Sequence, residues 1–270
     1  MNSKQILINE LRECNRNLGI KNGNTIYVTG NVSRLARSKL KKADILDALL
    51  LSFQSSIGDS GTIFAPSASM NLCNTNIVFD IDNTPSHEMG AFSEYLRQCK
   101  NSIRSFHPFW SICGVGNDAN ILRNVSRHSY GVGSPWSRFL KHNTRQVNIG
   151  VHPSKAVTLI HHLEVITGVP YRYTKEFIHP VKRGDGVFKE PFYMSVMYAK
   201  SDIKKRIALN EHYFEIMDQK DMLKETTHKS TGIKIWSFKM QDFYDVALDY
   251  FINDIYNYLE YPPKIRPYSD

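Results

Sequence analysis

At 270 residues with 41% hydrophobic side chains, the chain is long enough to bury a large core and reads as globular. No apolar run of about eighteen residues occurs, and the N-terminus alternates apolar and charged residues, so neither a membrane span nor a signal peptide is expected and a cytoplasmic location is. Lysine and arginine exceed aspartate and glutamate by 34 to 26, a net charge of +8 that attracts anions; no finger, RNA-binding sheet signature or basic zipper accompanies it, so no nucleic-acid partner is expected.

In chain order, an amphipathic helix should start near Ser3, carrying Ile6, Leu7 and Leu11, and stop at "GIKNGN". "TIYVTG" is a short β-branched strand followed by the polar loop "GNVSR". Ile45, Leu46, Leu49, Leu50 and Phe53 mark a helix face, and "TIFAPS" a second strand. Strand, helix, strand is the signal of an α/β sheet. In "NTPSHEMGAFSEYLRQC", Thr84 caps a helix with Pro85 at its first position and Met89, Phe92 and Leu96 on its buried face.

"SIRSFHPFWSICGVGND" reads as a loop with aromatics, followed by a Gly/Pro loop, a short helix and the strand "QVNIGV". From about 171 the chain changes character, with strands to about 200, a helix near 202–220, the strand "GIKIWSF" and the helix "QDFYDVALDYFINDIYNYL". No linker or internal repeat separates these, so the expectation is a single α/β domain over 1–270, with a central mixed β-sheet flanked by helices. Cys14, Cys73, Cys99 and Cys113 are widely spaced and read as buried thiols of a reducing compartment.

The chemistry-bearing stretch is "TLIHHLEVITGVPYR". Helical spacing puts Thr158, His161 and Glu164 on one stripe of an otherwise apolar segment, with His162 pointing elsewhere. A carboxylate there can hold the histidine's tautomer and stabilise its imidazolium, as a general base working near neutral pH requires. The competing reading is that His161 and Glu164 merely satisfy each other.

This stretch and three upstream blocks resemble the aminoglycoside 3-N-acetyltransferases, or antibiotic N-acetyltransferases. "VNIGVHPSKAVTLIHHLE" is similar to the family's strand and Thr-x-x-His-x-x-Glu helix, and "RSFHPFWS" (Arg104, Ser105, His107, Pro108, Ser111) to its Arg-Ser-x-His-Pro-x-x-Ser block. "TPSHEMGAFSEYLR" and "GVGSPWSRFL" match two more, so the blocks cover roughly 20–170 and leave 171–270 for substrate-side strands and helices. The resemblance implies acetyl-CoA as donor, an amine on a sugar as acceptor, direct transfer, no metal, and an assembly that admits a homodimer. On it His161 is the base, Glu164 orients it, and Thr158 donates to the thioester oxygen.

The family's Val-His-Ser-Ser loop near coenzyme A is replaced here by Thr29, Gly30, Asn31, Val32 and Ser33, with Thr29 at the place of the histidine. Gly30 and Asn31 would offer backbone amides to the pyrophosphate, and His107 and Ser111 complete the expected cofactor contacts. For His107, fixing its loop and acting at the acetyl group are evenly balanced. The basic run Arg34, Arg37, Lys39, Lys41 and Lys42 either meets the phosphates or is a solvated face.

Trp136 and Tyr171, beside Gly/Pro loops, are the expected substrate-stacking aromatics, whereas Trp110 and Tyr173 read as core. The basic net charge, with Arg127 and His128 before "GVGSP", points to an amino sugar on an anionic carrier, such as a nucleotide-linked sugar of polysaccharide biosynthesis. An aminoglycoside, hence antibiotic resistance, is the alternative. Two other classes remain open. A metal-dependent hydrolase would use His107, His152, His161 or Glu164 but lacks a His-Glu-x-x-His helix, and a glycan- or nucleic-acid-binding module would show salt-dependent binding without coenzyme A.

Overall fold

The computed structural model describes residues 3–199, 203–204 and 209–264. In chain order it contains helix α1 (Ser3–Asn17), strand β1 (Thr25–Gly30), helix α2 (Lys42–Ile57), strand β2 (Thr62–Pro66), helix α3 (Ala91–Arg97), and strands β3 (Ile103–Arg104) and β4 (Ile112–Gly116). Helix α4 (Pro135–Lys141), strand β5 (Arg145–Ile149) and helix α5 (Leu159–Ile166) follow, then strands β6 (Arg172–Arg183) and β7 (Gly186–Met197). Helix α6 (Leu209–Gln219), strands β8 (Lys224–Thr227) and β9 (Lys234–Lys239) and helix α7 (Met240–Asn253) complete the chain. Part of the helix expected near 202–220 lies outside the described residues.

Seven strands form one mixed sheet in the order β3-β4-β2-β1-β5-β9-β8, and β6 and β7 pair separately as a long hairpin. Only the central trio β2-β1-β5 is parallel. The pleat sorts their side chains: Tyr27 and Phe64 point into a core shared with α4, α5, α6 and α7, while Ile26, Val28, Ile63, Val147 and Ile149 point into one shared with α1, α2 and α3. Strand β1 lies between its two parallel neighbours, β2 and β5, so a crevice opens beyond its C-terminal end.

Three features depart from the sequence reading. Strands β3 and β4 form within the segment read as a loop. The helix expected at Thr84 starts instead at Ala91, after Gly90 at φ 91°. Thr84 Oγ1 accepts the Asp80 N–H at 2.8 Å, and Ser86 donates from its backbone N–H and hydroxyl to Glu94 Oε2 at 2.9 and 2.7 Å, folding 80–90 into a loop. Met89 thereby lines a cavity rather than a helix face.

Buried polar side chains tie the loops around the crevice. Arg104 donates to Ser111 Oγ at 2.9 Å, Thr84 O at 2.5 Å, Ser67 O at 2.6 Å and Ser69 Oγ at 3.1 Å. Gln146, on the face of β5 away from Val147, donates to Asn148 Oδ1 at 2.8 Å and Ala156 O at 2.7 Å, holding the approach to α5. His162 Nδ1 accepts the Gly131 N–H at 3.1 Å, and His107 Nδ1 accepts those of Phe109 and Trp110 at 3.3 and 3.1 Å. Burial pushes both histidines down to about 4.

Gly30 ends β1 at φ 120°, where an added Cβ would stand 2.2 Å from Ile149 O. Gly30→Ala is therefore expected to lower the unfolding free energy by roughly 1–3 kcal/mol, read from urea midpoints. A second expectation concerns acid. Between pH 6.5 and about 4 the unfolded chain binds protons that buried His107 and His162 refuse, so stability falls as pH falls across that window, by roughly 3 kcal/mol per group. Equal urea midpoints at pH 7 and pH 5 would contradict this.

Candidate active site

The crevice is a cavity of about 880 Å³, lined by Thr29, Gly30, Asn31, Val32 and Ser33 after β1, by Ser111, by Trp136 and by Thr158. Most of its remaining wall is apolar, and its charged walls are Lys42, Glu88 and Lys155. Of the basic run, only Lys42 reaches it; Arg37 is spent on Thr231 O at 3.1 Å. The Asn31 amide is not available to a phosphate as expected, because it donates to Ile149 O at 2.7 Å. Asn31 Oδ1 accepts the Ser33 N–H at 2.9 Å, fixing the loop as a turn.

Thr158 stands at the start of α5, where its carbonyl accepts the His161 N–H at 3.0 Å. One turn on, His161 Nδ1 lies 2.7 Å from Glu164 Oε2. The His161 side chain is 22% exposed and that of Glu164 is wholly buried. A carboxylate can only accept, so this contact places the proton on Nδ1 and makes Nε2 the basic nitrogen of the ring. The ring is edge-on to Tyr130 and Tyr258.

Arg172, at the start of β6, was missed in the sequence reading. Its Nε lies 2.7 Å from the same Glu164 Oε2, its Nη2 3.1 Å from His161 Nδ1, and its Nη1 donates to Ser195 O at 3.1 Å. With its proton in place Nδ1 has no lone pair to accept from Nη2, so the Arg172 charge is answered by the carboxylate. Burial alone would raise the Glu164 carboxyl; the hydrogen bond and charge of His161, with the Arg172 guanidinium, outweigh it and hold the group below its ordinary value. The "VPYR" that ends the His-Glu stretch held the signal for Arg172, which only the fold brings back to α5.

Two expected contacts are corrected. Tyr171 is fully buried, next to Glu164, so it has no face to offer a substrate; burial and that carboxylate push its phenol far above the ordinary value. His107 does not line the cavity: it is buried among Phe109 and Phe192 and fixes its loop. Trp136 does reach the cavity, but as a wall packed edge-on against Tyr27, 1% exposed. The indole N–H groups of Trp110 and Trp136, both wall residues, have no hydrogen-bond partner among the described residues. No three His, Cys, Asp or Glu side chains among the described residues gather as metal ligands.

Several solved structures share this fold. Aminoglycoside acetyltransferase AAC(3)-Xa matches with a TM-score of 0.77 at 16% identity, over 90% of this chain and 92% of that one. AAC-IIIb in binary complex with CoASH matches with a TM-score of 0.77 at 17% identity, over 95% and 98%. The YokD protein of Bacillus subtilis matches with a TM-score of 0.73 at 19% identity, over 92% and 99%. The family model for aminoglycoside 3-N-acetyltransferases matches residues 29–252, so the chain belongs to that family and is an N-acetyltransferase using acetyl-CoA as cosubstrate.

Proposed function

We infer that the chain acetylates an amine of an aminoglycoside-type amino sugar, with His161 as general base. The observation that carries this is the 2.7 Å contact between His161 and a wholly buried Glu164, on a helix whose first turn enters the cavity at Thr158. The cavity suits acetyl-CoA: its apolar wall takes the pantetheine arm, and Lys42 and Lys155 answer phosphates.

In the reaction, His161 Nε2 takes a proton from the acceptor amine while its nitrogen attacks the acetyl carbon. Charge develops on the thioester oxygen, where the Thr158 hydroxyl donates. The carbon–sulfur bond then breaks, coenzyme A leaves as the thiol, and the proton held by His161 is available to the sulfur. Glu164 stabilises the intervening imidazolium.

For the acceptor, family membership supports an aminoglycoside, and so do relatives solved with sisomicin and with a gentamicin. The anionic-carrier reading rested partly on Arg127 and His128. Arg127 Nη2 lies 2.5 Å from Glu190 Oε2 and its Nη1 donates to Pro191 O, while His128 stacks on Tyr193. Arg127 is thus already paired, so that reading keeps the exposed His128 and the net charge of +8.

Thiol release from acetyl-CoA across aminoglycosides and nucleotide-linked amino sugars tests both halves. Turnover with the former and a loss of about 10²–10⁴-fold in kcat for His161→Ala are expected; turnover with nucleotide-linked sugars alone would move the acceptor to the second reading, and full activity of the variant would remove His161 from the chemistry. Glu164→Gln should lower kcat and shift the acid limb of kcat/KM to lower pH, since the imidazolium loses its counter-charge. It also leaves the Arg172 charge without its carboxylate, at a cost of about 3–5 kcal/mol in unfolding free energy.

A further inference from the structure

A second cavity, of about 810 Å³, opens beside the edge strand β3 and shares no wall residue with the first. Its walls carry six cationic side chains, Arg97, Lys100, Arg104, Arg123, Lys182 and Arg183, and one acid, Asp82. Some of this charge is already answered: Arg97 pairs with Glu94 at 2.7 Å, Lys182 with Asp80 at 3.1 Å and Arg183 with Glu190 at 3.0 Å. Arg127 shares Glu190, so seven cations stand against the four carboxylates Asp80, Asp82, Glu94 and Glu190, an excess of three positive charges. Lys100 and Arg123, both exposed and on different segments, have no ion-pair partner among the described residues.

The wall chemistry is that of donors. Guanidinium and ammonium groups offer only N–H, in geometries suited to phosphate oxygens. Arg183 lies over the Phe106 ring, its Cζ 3.6 Å from the centroid, which helps hold one guanidinium in place. A pocket of this size takes a ligand of nucleotide dimensions.

From these walls we propose that the cleft binds a small anion carrying a polyphosphate group, at a site separate from the acetyl-transfer cavity. The two cavities meet at a partition, because Arg104, a wall of this one, donates to Ser111 Oγ, a wall of the other. The proposal does not depend on the identity of the acceptor.

Calorimetric titration of tripolyphosphate into the protein saturated with coenzyme A tests it, since the first cavity is then filled. Saturable binding is expected, at least tenfold weaker in Lys100→Glu/Arg123→Glu. It should be unchanged in Lys21→Glu/Lys229→Glu, the same change of net charge at exposed lysines outside the cleft. Should the first double variant fail to fold, Lys100→Gln/Arg123→Gln gives the comparison with a smaller loss. Absence of saturable binding to the coenzyme-loaded wild type, or equal losses in both double variants, overturns the proposal, the latter by reducing the effect to overall charge.

Discussion

The region around α5 depends on one carboxylate with no exposure to water. Glu164 sits in the core formed by α4, α5 and α7, where an unpaired charge would cost several kcal/mol. It stays ionised because His161, three residues before it, and Arg172, eight residues after it, both direct nitrogens at Oε2. That double contact joins α5 to the first residue of β6, so the position of the histidine and the departure of the hairpin are set by the same atom. An apolar trio of similar volume would hold these elements at least as firmly. It could not fix a proton on Nδ1, and that favours a chemical over a structural reason for the charge.

The loops that surround the cavity are held in a related way, by long polar side chains reaching backbone carbonyls from beneath. Arg104 gathers the loops after β2 and before α3, and Gln146 holds the approach to α5. Loop carbonyls that the sheet leaves unpaired need donors once buried, and each of these side chains supplies more than one. Arg104 bears a cost for this: burial pushes its guanidinium down to about 10. The "RSFHPFWS" block is therefore largely scaffold, with Arg104 and His107 facing inward and only Trp110 and Ser111 on the cavity.

How much of this was legible depended on the range of the interaction. Strands β1, β2, β5 and β9 and helices α2, α4, α5 and α7 stand where β-branched runs and helical spacing put them, because each buries a face defined within its own segment. The Thr158, His161 and Glu164 stripe was legible for the same reason. Arg172 was not, since its pairing with Glu164 needs the turn between α5 and β6. Tyr171 misled because a Gly/Pro neighbourhood suggests a surface, whereas the chain at 169–171 turns inward. The Thr84 cap failed against contacts several residues away, where Glu94 drew Ser86 into a loop. Strand β4, "ICGVG", carries two glycines and too little periodicity to be seen, yet it pairs with β2 over its whole length.

Net charge was the least transferable signal, for an electrostatic reason. A total of +8 describes the far field, while a ligand meets the charges of its own cavity, screened from others beyond about 10 Å at 0.1 M salt. The first cavity has two lysines and one glutamate on its walls, whereas the second cavity has six cations and one aspartate. The walls around Thr158 therefore carry only a small part of the basic excess, and the composition overstates the positive field inside that cavity.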